Sequence, residues 1–204
     1  MPKLGKSSQS ERVKALAEEI GVLRARDLAS MGIPRAVLKR LCNQGGLIRT
    51  GRGLYVSAIG DITENHSLAA VARQVPKGVI CLLSALRFHG LTTQLPPDVW
   101  LAIPPHARRP KGAAASIRPV HFSGMALTAG IEEHFVEKVS VRVYCPAKTV
   151  ADCFKFRNKV GLDVAIEALR DCWQQRKAKA EELRRYARIC RVENVMRPYM
   201  ESLI

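Results

Sequence analysis

Val13, Leu16, Ala17 and Ile20 recur at i, i+3, i+4, i+7, one apolar stripe with polar residues between them. The stripe predicts a helix over 11–20, with Ser10 as N-cap and Gly21 as its C′ residue. A second helix is expected over 25–31, with Leu28 and Met31 facing inward and Gly32 ending it. A third begins at Pro34, suited to a first helical position because no donor is needed there. It runs to about Asn43 and stops before Gly45-Gly46, with Val37, Leu38 and Leu41 as its packed side. Two short apolar stretches follow, LIRT at 47–50 and LYVS at 54–57, around Gly51-Arg52-Gly53. They read as a hairpin whose Leu47, Leu54 and Val56 cover the helices. Three helices followed by a hairpin is the order of a winged helix-turn-helix, assigned to 1–58.

The pattern then changes. A helical segment over about 62–74 precedes Pro76-Lys77-Gly78. The nearly all-apolar run at 79–92 predicts a helix ending at Gly90, with His89 as a C-terminal cap. Segments 98–103 and 117–122 read as strands, joined by an extended basic loop with Arg108, Arg109 and Lys111. Segments 131–136 and 139–144 read as a hairpin. Together they suggest a small, mostly antiparallel sheet of about four strands. From Pro146 onward the chain is helical, in segments within 145–161 and at 161–173, 178–190 and 193–201. Val150, Cys153 and Phe154 mark the buried side of the first. Lys148 and Asp152 are spaced i, i+4 and can pair there, adding little if exposed. The fold class expected is α+β, with a second, mixed domain over 59–204.

Charge sharpens this picture. The 204-residue chain carries a net +15 with a pI near 10, which favours a polyanion: nucleic acid first, an anionic membrane surface second. Residues 1–60 hold 11 Lys and Arg against 4 Asp and Glu, a net +7; the remainder carries +8. Apolar residues make up 47%, enough for packed cores, yet no apolar run approaches the roughly 20 residues of a membrane helix. The polar N-terminus lacks the apolar middle of a secretory signal, so a cytoplasmic location and no membrane partner are expected.

The third helix leaves Arg35, Ala36, Lys39, Arg40 and Asn43 on its other side. That set suits a major groove: Arg binds guanine edges, Asn adenine, Lys phosphate. A solvated helix face is the plain alternative. Arg49 and Arg52 stand at or near the hairpin tip, where Gly51 and Gly53 permit the positive dihedrals of a tight turn close to a sugar-phosphate chain. Double-stranded DNA is the partner this pattern implies. Six cysteines, none in a C-x-x-C pair, are expected as reduced, buried thiols rather than as a zinc site or disulfides. No phosphate-binding loop, dinucleotide glycine pattern, G-x-S-x-G, H-E-x-x-H or metal-spaced carboxylate cluster occurs, so no enzyme, cofactor or metal is expected.

Two groups of residues carry a family resemblance. One is the unit ending in GGLIRTGRGLYVS. The more specific is the pair SALRFHGLT (84–92) and PAKTVADCFKFRNKVGLDVAIEALRD (146–171). On these the chain resembles the AbiEi antitoxins of bacterial abortive-infection, type IV toxin–antitoxin systems, over about residues 10–175. The resemblance implies a two-domain antitoxin whose winged helix binds inverted repeats in its own promoter and represses transcription. It implies a C-terminal domain that counteracts a nucleotidyltransferase-like toxin, not necessarily by direct binding. It makes the helix at 34–43 and the wing residues Arg49 and Arg52 the DNA contacts. It makes Lys148, Thr149, Asp152, Arg157 and Asn158 the marks of the C-terminal domain. The alternative is a regulator of another circuit whose C-terminal domain senses a ligand or mediates dimers.

Overall fold

A computed structural model describes residues 8–60, 63–108 and 115–203. The chain forms two compact units: one from the segment ending at Pro76, joined by Phe135–Ser140, the other from Lys77 onward apart from that insert. The fold class is α+β, as expected.

The first unit opens with helix α1, Gln9–Ile20. Its N-cap is Ser8, two residues upstream of the expected Ser10, because Ser8 closes a capping box: its hydroxyl accepts the Glu11 N–H (3.2 Å) and Glu11 Oε2 accepts the Ser8 N–H (2.7 Å). Gly21 ends the helix at φ 71°, and a Cβ there would overlap the Glu137 carbonyl oxygen. Where a helix over 25–31 was expected, Leu23–Arg24 form strand β1, residues 25–28 a turn, and only Ala29–Met31 a single 3₁₀ turn. Two features leave no room for α-helix there. Pairing of β1 extends the backbone through Arg24, and Gly32 at φ 65° stops the turn.

Helix α2, Ala36–Asn43, starts two residues after Pro34; Pro34 and Arg35 supply its first accepting carbonyls. Gly45, at φ 70°, closes it while the Gly46 N–H reaches the Leu41 carbonyl (2.9 Å). Strands β2, Leu47–Gly51, and β3, Leu54–Ser57, form the wing, and β1 adds to β3 in an antiparallel sheet of order β1-β3-β2. The register jumps between Arg49 and Gly51, leaving Thr50 as a bulge. Of the two turn glycines, Gly53 alone takes a positive φ (73°), because the bulge already bends the strand before Gly51. Helix α3, His66–Gln74, belongs to this unit, which therefore continues past the division expected near residue 58. Residues 61 and 62, the expected start of that helix, lie outside the described residues. Val13, Leu23, Leu28, Leu38, Leu41 and Leu47 make the core.

The second unit is built on a five-stranded sheet of order β6-β5-β4-β8-β7, with β4 Val79–Ile80, β5 Val99–Ile103, β6 Ile117–His121, β7 Ile131–Val136 and β8 Val139–Tyr144. The sheet is mixed, not mostly antiparallel: β4 pairs antiparallel with β5, but β4–β8 and β5–β6 run parallel. The expected single helix at 79–92 is instead β4 followed by α4, Leu82–Phe88. A continuous apolar run does not distinguish an interior strand from a buried helix, and here it contains both. After α5, Met125–Thr128, come α6, Pro146–Lys155; α7, Arg157–Val160; α8, Leu162–Gln174; α9, Ala180–Ile189; and α10, Glu193–Glu201. Every residue of α6 from Ala147 to Phe154 is buried, because α4, α8 and α9 all pack on it. Arg109 and Lys111 of the basic loop lie outside the described residues. No described helix is long and apolar enough to cross a membrane.

Candidate nucleic-acid interface

Val37, Leu38 and Leu41 turn one side of α2 into the core and force the remaining positions outward. Arg35, Lys39 and Asn43 follow one another at i, i+4, i+8 along that outer side; all three, and Ala36 beside them, are exposed. Arg40 is exposed too but flanks this line, and its Nη2 donates to Ser10 Oγ of α1 (2.7 Å). The wing carries Arg49 and Arg52, both exposed, with Arg49 Nε donating to the Gly51 carbonyl (3.1 Å). The seven positions expected to meet DNA are thus all at the surface, on one helix and one hairpin of the same unit. Arg35, Lys39, Asn43 and Arg52 engage no partner within the described chain, so their donors are open to base edges and phosphates.

Two other cations of this unit, Arg24 and Arg73, are consumed internally. The Asp27 carboxylate accepts the Arg24 N–H (2.9 Å), Arg24 Nε (3.0 Å) and Arg73 Nη2 (2.9 Å). Arg73 Nε reaches the Val22 carbonyl and Arg24 Nη1 the Arg73 carbonyl, each at 2.9 Å. Burial pushes the Asp27 carboxyl up, but the hydrogen bonds from Arg24 and the charges of Arg73 and Arg24 outweigh it and hold the group below its ordinary range. This knot ties α3 to the turn that precedes α2 and so fixes the helix-turn that presents the exposed face. Sequence reading missed it because Asp27 and Arg73 are 46 residues apart.

The C-terminal motif has a different fate. Lys148, Thr149 and Asp152 are fully buried. Lys148 Nζ lies 2.6 Å from both oxygens of Asp152, 4.1 Å from the centre of the Tyr144 ring and 5.0 Å from that of Phe122. The Cys190 thiol donates to Asp152 Oδ1 (3.2 Å), and Thr149 Oγ1 donates to the Tyr144 carbonyl (3.0 Å). Burial pushes the Asp152 carboxyl up against the opposing pull of Lys148. Arg157 is half-buried, with Nη1 on the Phe154 carbonyl (3.0 Å), and Asn158 is exposed. The structure therefore gathers three of the five motif residues into the interior and leaves Arg157 and Asn158 outside that knot.

The polar residues of SALRFHGLT also have internal partners. Ser84 Oγ accepts the Trp100 N–H (2.9 Å), and His89, the C-cap of α4, sits with Nε2 2.8 Å from the Tyr144 carbonyl. Burial holds His89 below the ordinary histidine range. All six cysteines are free, and burial pushes the thiols of Cys81, Cys153 and Cys190 up, away from the reactive thiolate.

Residues 11–58 match a family described as transcriptional regulator, AbiEi antitoxin. The match spans α1 through the wing, the same stretch that carries the exposed cations. Among solved structures, the chain is similar to the RV2827C protein from Mycobacterium tuberculosis, with a TM-score of 0.60 and 16% identity over 87% of this chain and 70% of that one. At that identity the likeness is one of fold. No curated protein matches.

Proposed function

We propose that this protein is a sequence-specific DNA-binding autorepressor and the antitoxin of a type IV toxin–antitoxin operon. In this reading α2 enters the major groove of an inverted repeat in its own promoter. Arg35 and Asn43 meet base edges, Lys39 meets phosphate, and the wing places Arg52 on the sugar-phosphate chain or in the minor groove. The observation that carries it is the unpartnered line Arg35–Lys39–Asn43, exposed within a module of the AbiEi regulator family. The second unit counteracts a nucleotidyltransferase-like toxin. The burial of Lys148, Thr149 and Asp152 favours an action in which these residues shape the domain rather than touch the toxin. A regulator of another circuit is the second reading, and that same burial favours it, because it leaves most of the family-like motif without a surface. Two measurements separate the readings. Binding of the purified protein to its own upstream DNA and to a shuffled duplex, at ~150 mM salt, tests specificity above the phosphate background. Co-expression with the neighbouring gene tests neutralisation: rescue of growth supports the antitoxin reading, and continued toxicity with intact promoter binding supports the other.

A further inference from the structure

The second unit holds a concave basic site that the DNA reading does not use. A cavity of about 500 Å³ lies between the Ser123–Ala126 turn and the junction of α9 with α10. Three cations line it: Lys155 at the end of α6, and Arg188 and Arg191 at the end of α9. No carboxylate lines it, and none of the three forms an ion pair among the described residues. Glu193, two residues on from Arg191, lines a neighbouring cavity with Arg188 and Arg191 but forms no ion pair with either; Asp152, beneath Cys190, is paired with Lys148.

Arg191 can be removed cleanly. Helix α9 closes with the Val192 N–H on the Ala187 carbonyl (2.8 Å) and the Arg191 N–H on the Arg188 carbonyl (3.0 Å). That pattern places residue 191 in the left-handed region, at φ 57°, where glycine is favoured and a side chain is strained. Arg191 is one of the two arginines that line the cavity, and the same helix-end closure sets Arg176 at φ 54° after α8. Glycine suits that backbone, so Arg191→Gly removes the guanidinium without backbone cost.

We propose that this cavity binds the phosphate chain of a small phosphorylated ligand, a di- or triphosphate. Its volume falls in the range of small-molecule sites. Three cations lining one cavity match the compact charge of a phosphoanhydride; a duplex backbone instead spreads single charges along its length. Arginine forks and a lysine ammonium are the groups suited to phosphoryl oxygens.

The test is calorimetric titration of the full chain with inorganic pyrophosphate at ~150 mM salt, where surface attraction is screened. Saturable binding is expected, weakened about 10-fold or more by Arg191→Gly and by Arg188→Gln. Arg191→Gly should not lower Tm, because glycine suits that backbone, so lost binding cannot be ascribed to unfolding. The triple variant Arg35→Ala, Lys39→Ala, Arg52→Ala should bind pyrophosphate as the wild type does, which keeps this site distinct from the DNA surface. No binding up to ~5 mM, or equal binding by the Arg188 and Arg191 variants, overturns the proposal. Displacement of pyrophosphate by a short duplex that itself loses affinity in Arg191→Gly also overturns it, and assigns the cavity to nucleic-acid phosphate.

Discussion

Two charged pairs at the same helical spacing end in opposite environments. Arg35 and Lys39 are i, i+4 and stand in water at the surface of the first unit; Lys148 and Asp152 are i, i+4 and have no exposed surface at all. Spacing did not decide this. In RAVLKRLCN the apolar positions fall on one side, so the helix has a wet face. In PAKTVADCF small and apolar residues surround the charges on every side, and helices pack around all of α6. A wet cation attracts an anion at little cost and is suited to recognition. A dry pair is held by its own partner, and removing either member leaves the other unpaired in the core. On the proposed reading the first set serves recognition and the second architecture.

The largest effect should come from the wet set. Arg35→Ala, Lys39→Ala and Arg52→Ala together should weaken binding to the protein's own upstream DNA by ~10³-fold, at ~1–3 kcal/mol per good contact, without moving Tm. The dry pair comes next. Asp152→Asn should lose about 3–5 kcal/mol of stability, read by denaturant unfolding, because it strands the Lys148 ammonium. Replacing both residues, Lys148→Met with Asp152→Leu, should restore most of that loss; an Asp152→Asn protein as stable as the wild type would end the architectural reading. The Asp27 knot is smaller. Asp27→Asn should cost ~2 kcal/mol at neutral pH, since hydrogen bonds to a charged group are lost. Because the folded state holds this carboxyl below its unfolded value of 3.8, its contribution is present above that value and fades as pH falls below it. The variant should therefore unfold in acid with a shallower pH dependence below ~4 than the wild type. Smallest is Arg40→Ala, whose exposed bond to Ser10 should contribute within ~0.5 kcal/mol of stability. DNA affinity should fall far less than for Lys39→Ala, because Arg40 flanks the reading line.

The wing and α2 were legible in the sequence because one-sided apolar spacing and turn glycines are local signals. Leu54 and Val56, i and i+2 in β3, are buried as alternation requires; Leu47 is buried too, while Arg49 and Arg52 are exposed toward the tip. Strand β1 was not legible. Two residues carry no period, and their extended backbone depends on Leu54 and Tyr55, some 30 positions away. The same holds for β4: Val79–Ile80 sits in an apolar run that reads as helix, and its strand state comes from Leu101 and Ala102 on one side and Val143 on the other. Parallel pairing of β5 with β6 was likewise invisible, since it is set by how the chain returns between them. In the candidate interface the positions were legible and the partners were not. The hydrogen bond from Arg40 to Ser10, and the Arg24–Asp27–Arg73 knot, depend on packing that spacing does not encode. The i, i+4 spacing of Lys148 and Asp152 was read correctly as a pair, yet its value rose from slight to structural only once three neighbouring helices buried it.

The most direct test of the account is titration of the wild type and of the Arg35, Lys39, Arg52 triple alanine variant against the protein's upstream DNA and a shuffled duplex of equal length. At ~150 mM salt the wild type should prefer the native duplex by ~10³-fold or more, and the folded variant should bind both duplexes weakly and alike. A folded variant that keeps the wild-type preference would contradict the claim that the exposed face of α2 and the wing read the DNA.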